Sequence, residues 1–195
     1  KLLKQRKAVK KLMGKEEDYF LKSIYDGLQL AYKITANSLY GQTGARTSSI
    51  YLKPVAASIT STGREMLELA RDYMENIFPE IMYTLYEAFT TDDKEKIDLI
   101  LKEELVEELH TKEFIDDLKE KIVKILNKCT IKPDTVYGDT DSVFIDFGFK
   151  IDGKYYEEKE ALEFAIDMGV IAGNFIKMKM HKPQDLEYEK TFYPF

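Results

Sequence analysis

Between Thr135 and Tyr156 the hydrophobic period of the sequence changes, and no other feature narrows the possible folds as far. Upstream, apolar residues recur at helical intervals, as at Phe20, Ile24, Leu28 and Ala31, and again at Leu101, Leu105, Val106 and Leu109. In TVYGDTDSVFIDFGFKIDGKYY, β-branched and aromatic residues take over, punctuated by turn signals at Gly138–Asp141 and Asp152–Gly153. ALEFAIDMGVIAGNFIKMKM then returns to a helical pattern, and DLEYEKTFYPF reads as a final strand. A small antiparallel sheet flanked by helices predicts an α+β fold.

The helical part has its own punctuation. KLLKQRKAVKKLM is a basic helix over residues 1–13, ended by Gly14 and joined by GKEED to a second run, YFLKSIYDGLQLAYKITANSLYG. Gly27 inside that run costs about 1 kcal/mol relative to alanine, and Gly41 and Gly44 close it. TSSIYLKP reads as a short extended segment, and Pro54 opens a third helix, VAASITSTGREMLELARDYMENIF. Residues 80–128 continue in helical fashion. Charge is unevenly spread: residues 1–53 carry 11 basic and 4 acidic side chains, whereas residues 79–128 carry 8 and 14. The net charge of −6 therefore hides a cationic helical pair, able to attract phosphate, and an acidic helical block.

At 195 residues the chain can bury a core in one or two domains. No apolar run reaches membrane-spanning length, and no secretory leader is recognisable. The single cysteine, Cys129, excludes an intramolecular disulfide and fits a reducing compartment. With His110 and His181 as the two histidines, the chain alone lacks the donors for a structural zinc site. It enters a helix directly from Lys1, as expected of a piece of a longer protein.

Asp139 and Asp141 stand one residue apart at the turn in VYGDTDSVFI, between apolar and aromatic arms. Two adjacent carboxylates there repel one another unless a cation relieves them. Hard oxygen donors suit Mg²⁺, which takes one or two protein carboxylates and fills its shell with water and substrate phosphate. A helix-loop-helix calcium site is disfavoured, because Phe144 and Lys150 occupy the positions of its glycine and its last acid. The other reading of the pair is a loop with one capping and one solvated aspartate. In the second helix, Lys33, Asn37 and Tyr40 share a stripe, and in the first Arg6 and Lys10 share a face. Such a surface is either an ordinary solvated basic face or a seat for phosphates. Cations for phosphates, combined with carboxylates for a bridging metal, make up the plan of metal-assisted phosphoryl transfer.

These residues also carry a resemblance. KITANSLYG matches the K-x-x-x-N-S-x-Y-G fingers motif of family B DNA polymerases, and YGDTDSVF matches their D-T-D palm motif. QRKAVK resembles the R-x-x-x-K element of the preceding fingers helix, and LEYEKTFYPF is similar to the palm strand after the D-T-D hairpin. The closest flavour is delta-like, of eukaryotic or large-DNA-virus type. The organisation that this implies is a fingers helical hairpin over 1–45 and a palm segment over 46–78. An acidic helical insertion over 79–134 and the rest of the palm over 135–195 follow.

Carried over by position, the resemblance implies that Asp141 and Asp139 are metal-binding catalytic carboxylates, with Asp141 the more direct ligand. Glu189, which alternates with Glu187 along LEYEK, would be a further acid near the metals. Arg6, Lys10, Lys33 and Asn37 would hold the incoming deoxynucleoside triphosphate, and Tyr40 and Gly41 would lie against the nascent base pair. Two Mg²⁺ ions would be held with a further aspartate from a palm motif expected before residue 1. The implied partners are primer–template DNA, deoxynucleoside triphosphates and a sliding clamp, with no membrane. The implied location is the nucleus or an intracellular viral replication site. A thumb and an exonuclease domain are not recognisable in these residues, so the segment is expected to be inactive alone. Two rivals are a catalytically silent nucleic-acid-binding module and another palm-type nucleotidyltransferase, such as a reverse transcriptase. NSLYG argues against the latter, and the pairing of cations with carboxylates against the former.

Overall fold

The computed structural model of the chain describes residues 2–139, 142–182 and 184–193. The chain folds as two compact units, residues 1–62 and 63–195.

The first unit is built on an antiparallel hairpin of α1 (Leu2–Lys15) and α2 (Tyr19–Gly44). The acids of the connection explain where α2 begins. Asp18 takes an extended backbone conformation, and its carboxylate accepts the N–H groups of Phe20 at 2.8 Å and Leu21 at 3.1 Å. An N-cap of this kind satisfies donors that the helix itself cannot. Val9 is buried in α1, while α2 has no fully buried residue; Phe20, Ile24 and Leu28 stay exposed. Residues 46–50 are turns, not the extended segment that TSSIYLKP suggests. Ser48 N–H donates to Ala45 O at 3.0 Å, Ser48 Oγ accepts Ile50 N–H at 3.2 Å, and Leu52 N–H returns to Thr43 O at 2.9 Å. Local hydroxyl bonds of this sort compete with strand formation. Then α3 (Lys53–Asp72) opens with Pro54 in its first turn, as expected.

In the second unit the helix expected to stop at Phe78 does not stop. A π turn, Tyr73–Ile77, joins α3 to α4 (Phe78–Thr91), and Asp72, Ile77 and Phe78 all keep right-handed helical dihedrals. Phe78 N–H donates to Tyr73 O, five residues back. Pro79, which has no N–H and whose ring crowds the carbonyl four residues earlier, is accommodated by this widened ladder, and burial of Phe78, Met82 and Leu85 keeps the helix continuous past it. α5 (Lys94–Glu104), a 3₁₀ turn at Glu107–Leu109 and α6 (Lys112–Lys128) follow. Their N-caps are Asp93, accepting Lys96 N–H, and Thr111, accepting Phe114 N–H.

The acidic block shares its core with the C-terminal helix. Phe78, Met82 and Leu85 of α4, Ile122 and Ile125 of α6, and Phe164, Met168 and Phe175 of α7 (Lys159–Ile176) are fully buried in one cluster. Each such side chain contributes roughly 1.5–3 kcal/mol by leaving water. Between α6 and α7 lie two antiparallel pairs, β1 (Asp134–Asp139) with β2 (Ser142–Asp146), and β3 (Lys150–Ile151) with β4 (Lys154–Tyr155). The predicted turn at Asp152–Gly153 has φ of 51° and 78°, the left-handed pair that a tight hairpin demands.

The final strand expected from DLEYEKTFYPF does not form among the described residues 184–193. The segment is held by its side chains instead. Leu186 packs against the core and Tyr188 against α7, and among the described residues no strand pairs with its backbone. No helix among the described residues is long and apolar enough to cross a membrane.

Candidate functional site

The β1–β2 hairpin carries Asp139 at the C-terminal end of β1; Asp141 lies outside the described residues. The register pairs Thr135 with Ile145, then slips by one residue at Val136, and continues as Tyr137 with Phe144, Gly138 with Val143 and Asp139 with Ser142. Residues directly opposite share a face, and the face alternates along each strand. Val143 and Ile145 pack against the core, so Gly138 and Thr135 face inward with them. Tyr137, Phe144, Ser142 and Asp139 take the other face. Without the bulge, Thr135 and Tyr137 would share a side, and Asp139 would point the same way as Thr135.

The helix leading into α4 supports this hairpin at two points. A Cβ placed on Gly138 would stand 2.9 Å from Leu67 Cδ1, so a side chain there would have to displace the Leu67 methyls that close on the strand from α3. Farther along, the Glu75 carboxylate in the π turn accepts the backbone N–H of Thr135 at 3.1 Å. Thr135 Oγ1 is buried there and has no hydrogen-bond partner among the described residues.

The open face of the hairpin is overlaid by the C-terminal segment. Phe144 meets Tyr137 edge-on with ring centroids 5.5 Å apart, and Phe192 stacks on Phe144 at 5.6 Å. Three residues before Phe192, Glu189 is exposed, as is Glu187. Between them Tyr188 is seated against α7, where a Cβ on Gly169 would lie 2.6 Å from its ring and one on Gly173 would lie 3.1 Å from its backbone N. The Tyr188 hydroxyl pairs with Thr191 Oγ1 at 2.7 Å. The segment that carries Glu189 thus runs from α7 at Tyr188 to the outer hairpin face at Phe192. Among the described residues, no group of three or more acidic, histidine or cysteine side chains is arranged to hold a metal. The donor chemistry nevertheless fits a hard divalent ion, since Mg²⁺ needs only one or two protein carboxylates and Asp139 is exposed at a strand end.

In the first unit, Lys33, Asn37, Tyr40 and Gly41 lie on α2, and Lys33, Asn37 and Tyr40 are exposed. Arg6 is half-buried on α1, and its Nε donates to Gln29 Oε1 at 3.2 Å. Gln29 in turn donates through Nε2 to Asp26 Oδ1 at 3.0 Å. Since Gln29 precedes Lys33 by one turn on the same face, this bond brings Arg6 onto the stripe of Lys33 and Asn37. The antiparallel pairing then staggers Lys10, Arg6 and Lys33 by about 6 Å per step along the hairpin. Tyr40 is turned toward α3, with its hydroxyl 3.2 Å from Thr60 Oγ1. The structure thus ties Arg6 to Gln29 on α2 and lays Phe192, three residues after Glu189, on the hairpin face that carries Asp139, each within its own unit.

The sequence model of DNA polymerase family B matches residues 1–195. The chain belongs to DNA polymerase family B. It is 42% identical over 177 residues to a DNA polymerase of Pyramimonas orientalis virus, an overlap of 90% of this chain and 10% of that protein. It is 39% identical over 183 residues to a DNA polymerase of Phaeocystis pouchetii virus, covering 93% and 14%. To the DNA polymerase delta catalytic subunit of Dictyostelium discoideum it is 30% identical over 194 residues, covering 100% and 13%. The chain therefore spans 10–14% of the length of these relatives.

Within this family B chain, three structural participants escaped the sequence reading: Gln29, Glu75 and Tyr188. Gln29 carried a usable signal, since it stands four residues before Lys33 on the same helical face. Glu75 and Tyr188 act through contacts distant in sequence and had none. The displaced titrations fall on other groups. Lys128 beside Glu160, with the Tyr156 hydroxyl donating at 2.8 Å, holds that carboxylate below the usual range. Burial, reinforced by the nearby Glu104 carboxylate, pushes the Tyr73 phenol well above its usual range.

Proposed function

We propose that this chain supplies the fingers hairpin and part of the palm of a template-directed DNA polymerase. The division is fingers over 1–45, palm over 46–78 and 135–195, and an acidic insertion over 79–134. The observation that carries the reading is the family match over residues 1–195, which spans both the cationic stripe and the D-T-D hairpin.

In the reaction, the primer 3′-oxygen forms a bond to the α-phosphorus of a deoxynucleoside triphosphate. The bond from that phosphorus to the bridging oxygen breaks, and pyrophosphate departs. Arg6 offers a planar fork to phosphate oxygens, and Lys10 and Lys33 offer point charges, neutralising charge on the departing group. The staggered cations suit an extended triphosphate better than a single phosphate. Asn37 shapes the pocket, and Tyr40 with Gly41 lies against the new base pair. Asp139 and Asp141, with Glu189 nearby and a further aspartate from elsewhere in the enzyme, would hold Mg²⁺. Bound there, the metal supplies charge neutralisation and activation of the attacking oxygen. A helical pair joined by a short connection is suited to closing over the nucleotide and excluding water. Primer–template DNA is the macromolecular substrate, and the place of action is the nucleus or a viral replication site.

The test uses the full-length protein that contains this chain, with primed template, Mg²⁺ and each nucleotide class in turn. Template-directed extension with deoxynucleotides is expected, and Asp141→Asn is expected to abolish it while DNA binding persists. Near-normal extension by Asp141→Asn would overturn the metal assignment. Absence of extension by the wild type would overturn the activity.

A further inference from the structure

We infer that Glu75 is a positioning residue: its carboxylate pins the β1 bulge and so sets the face of the hairpin on which Asp139 is presented. The activity half of this inference rests on the polymerase reading, whereas the structural half does not.

Three observations converge on it. Glu75 and Thr135 are sixty residues apart in sequence, yet the Thr135 N–H donates to the Glu75 carboxylate at 3.1 Å. Thr135 is the last residue in register before the slip at Val136. Its hydroxyl is buried without a hydrogen-bond partner among the described residues, so the backbone bond to Glu75 supplies the polar anchor there. A bulge leaves ladder groups unpaired, and a carboxylate acceptor satisfies one of them at the point where the strand changes phase.

The consequence follows from the period of a strand. With Thr135 held inward, one extra residue turns Tyr137 and Asp139 outward, toward the face overlaid by Phe192. If the bulge were lost, Val136 would pair with Phe144 and Gly138 with Ser142. Asp139 would then move past the end of the ladder and change sides. Glu75, which reaches Thr135, sits in the π turn. In the same continuous helix, Leu67 closes on Gly138, so the strand is clamped on both sides of the bulge. π turns inside helices recur at functional sites, and this one carries Glu75.

The experiment compares wild type, Glu75→Leu and Glu75→Gln in the full-length enzyme. Amide hydrogen exchange of the peptide spanning residues 134–146 is read alongside primer extension. Glu75→Leu removes the acceptor. It is expected to speed exchange in that peptide at least 10-fold, with α6 and α7 peptides unchanged. It is also expected to lower kcat at least 10-fold and to raise the Mg²⁺ concentration for half-maximal activity several-fold. The Kd for primer–template should stay within 2-fold. Glu75→Gln keeps an acceptor oxygen and should remain within about 3-fold of wild type on every readout.

Unchanged exchange at 134–146 in Glu75→Leu overturns the proposal, as does faster exchange spread equally over α6 and α7. Glu75→Gln behaving like Glu75→Leu overturns the acceptor role. Should Glu75→Leu be too unstable to purify, Glu75→Asp withdraws the acceptor by one methylene, and the same pattern is expected at smaller amplitude. A wild type that extends no primer defeats the polymerase reading alone, because the exchange data still decide the anchoring.

Discussion

Tyr188 occupies a groove that exists because Gly169 and Gly173, one turn apart on α7, have no side chains. An added methyl at Gly169 would stand 2.6 Å from the Tyr188 ring, too close for contact without movement. Gly169→Ala is therefore expected to destabilise the protein by about 1–3 kcal/mol, as overpacking does, despite alanine's better helix propensity. Urea unfolding measures the sign. A stabilised variant would mean that Tyr188 leaves the groove without cost. If Glu189 serves the metals, the same variant should also need more Mg²⁺ for half-maximal extension.

Lys33→Ala in the full-length enzyme should lower kcat/KM for the incoming nucleotide by about 10- to 100-fold, corresponding to a lost charge-assisted bond of ~1.5–3 kcal/mol. Gln29→Ala removes the acceptor of the Arg6 Nε and should give a smaller loss of the same kind, since the guanidinium stays but is no longer held. Single-turnover kinetics with varied nucleotide separates the two. Equal losses, or none for Lys33→Ala, would remove the stripe from the nucleotide pocket.

Pro79 sits at the end of the π turn, in the first turn of α4. Removing a proline from an uninterrupted α-helix would return about 3 kcal/mol. In Pro79→Ala the expected gain is below about 1 kcal/mol, because reverting to α geometry would rotate Phe78, Met82 and Leu85 out of the core they fill. Denaturant unfolding distinguishes the outcomes. A gain near the full propensity value would show that the proline alone imposes the turn.

Stability should fall on the alkaline side. Burial pushes the Cys129 thiol from 9.0 up to about 11, and burial together with Glu104 keeps the Tyr73 phenol neutral beyond its ordinary 10.0. Both folded-state values are raised, so their contribution is complete below the unfolded values and is lost as pH rises through the folded ones. For Cys129 that window runs from 9.0 to about 11. Glu160 has the opposite sign: Lys128 depresses its folded value below 4.5, so its contribution holds above 4.5 and disappears as pH falls through the depressed value. Urea midpoints against pH, with Cys129→Ser and Tyr73→Phe, check the alkaline limb. A limb of unchanged slope in both variants would contradict the assignment.

Much of the architecture was written locally. The helical hairpin, the strand pair around D-T-D, the Asp152–Gly153 turn and the stripe of Lys33, Asn37 and Tyr40 all follow from residue spacing within single elements. That spacing is fixed by the geometry of the backbone, so a sequence displays it directly. The misreadings share one feature. TSSIYLKP and DLEYEKTFYPF have strand composition, but a strand exists only where a neighbour completes its ladder, and neither segment has one among the described residues. The third helix was read only as far as Phe78, yet core packing on both sides carries it on as a π turn.

The sequence by itself determined the chemistry on offer: a cationic helical stripe, an aspartate at a strand end and the family to which both belong. Tertiary structure alone decided how that chemistry is aimed. Arg6 joins the α2 stripe through Gln29, Asp139 faces outward because of one extra residue at Val136, and that bulge is tied to Glu75 sixty residues away. The reason is physical. Side-chain spacing is a property of a few consecutive bonds, whereas the partner of a distant N–H depends on which surfaces the whole chain removes from water.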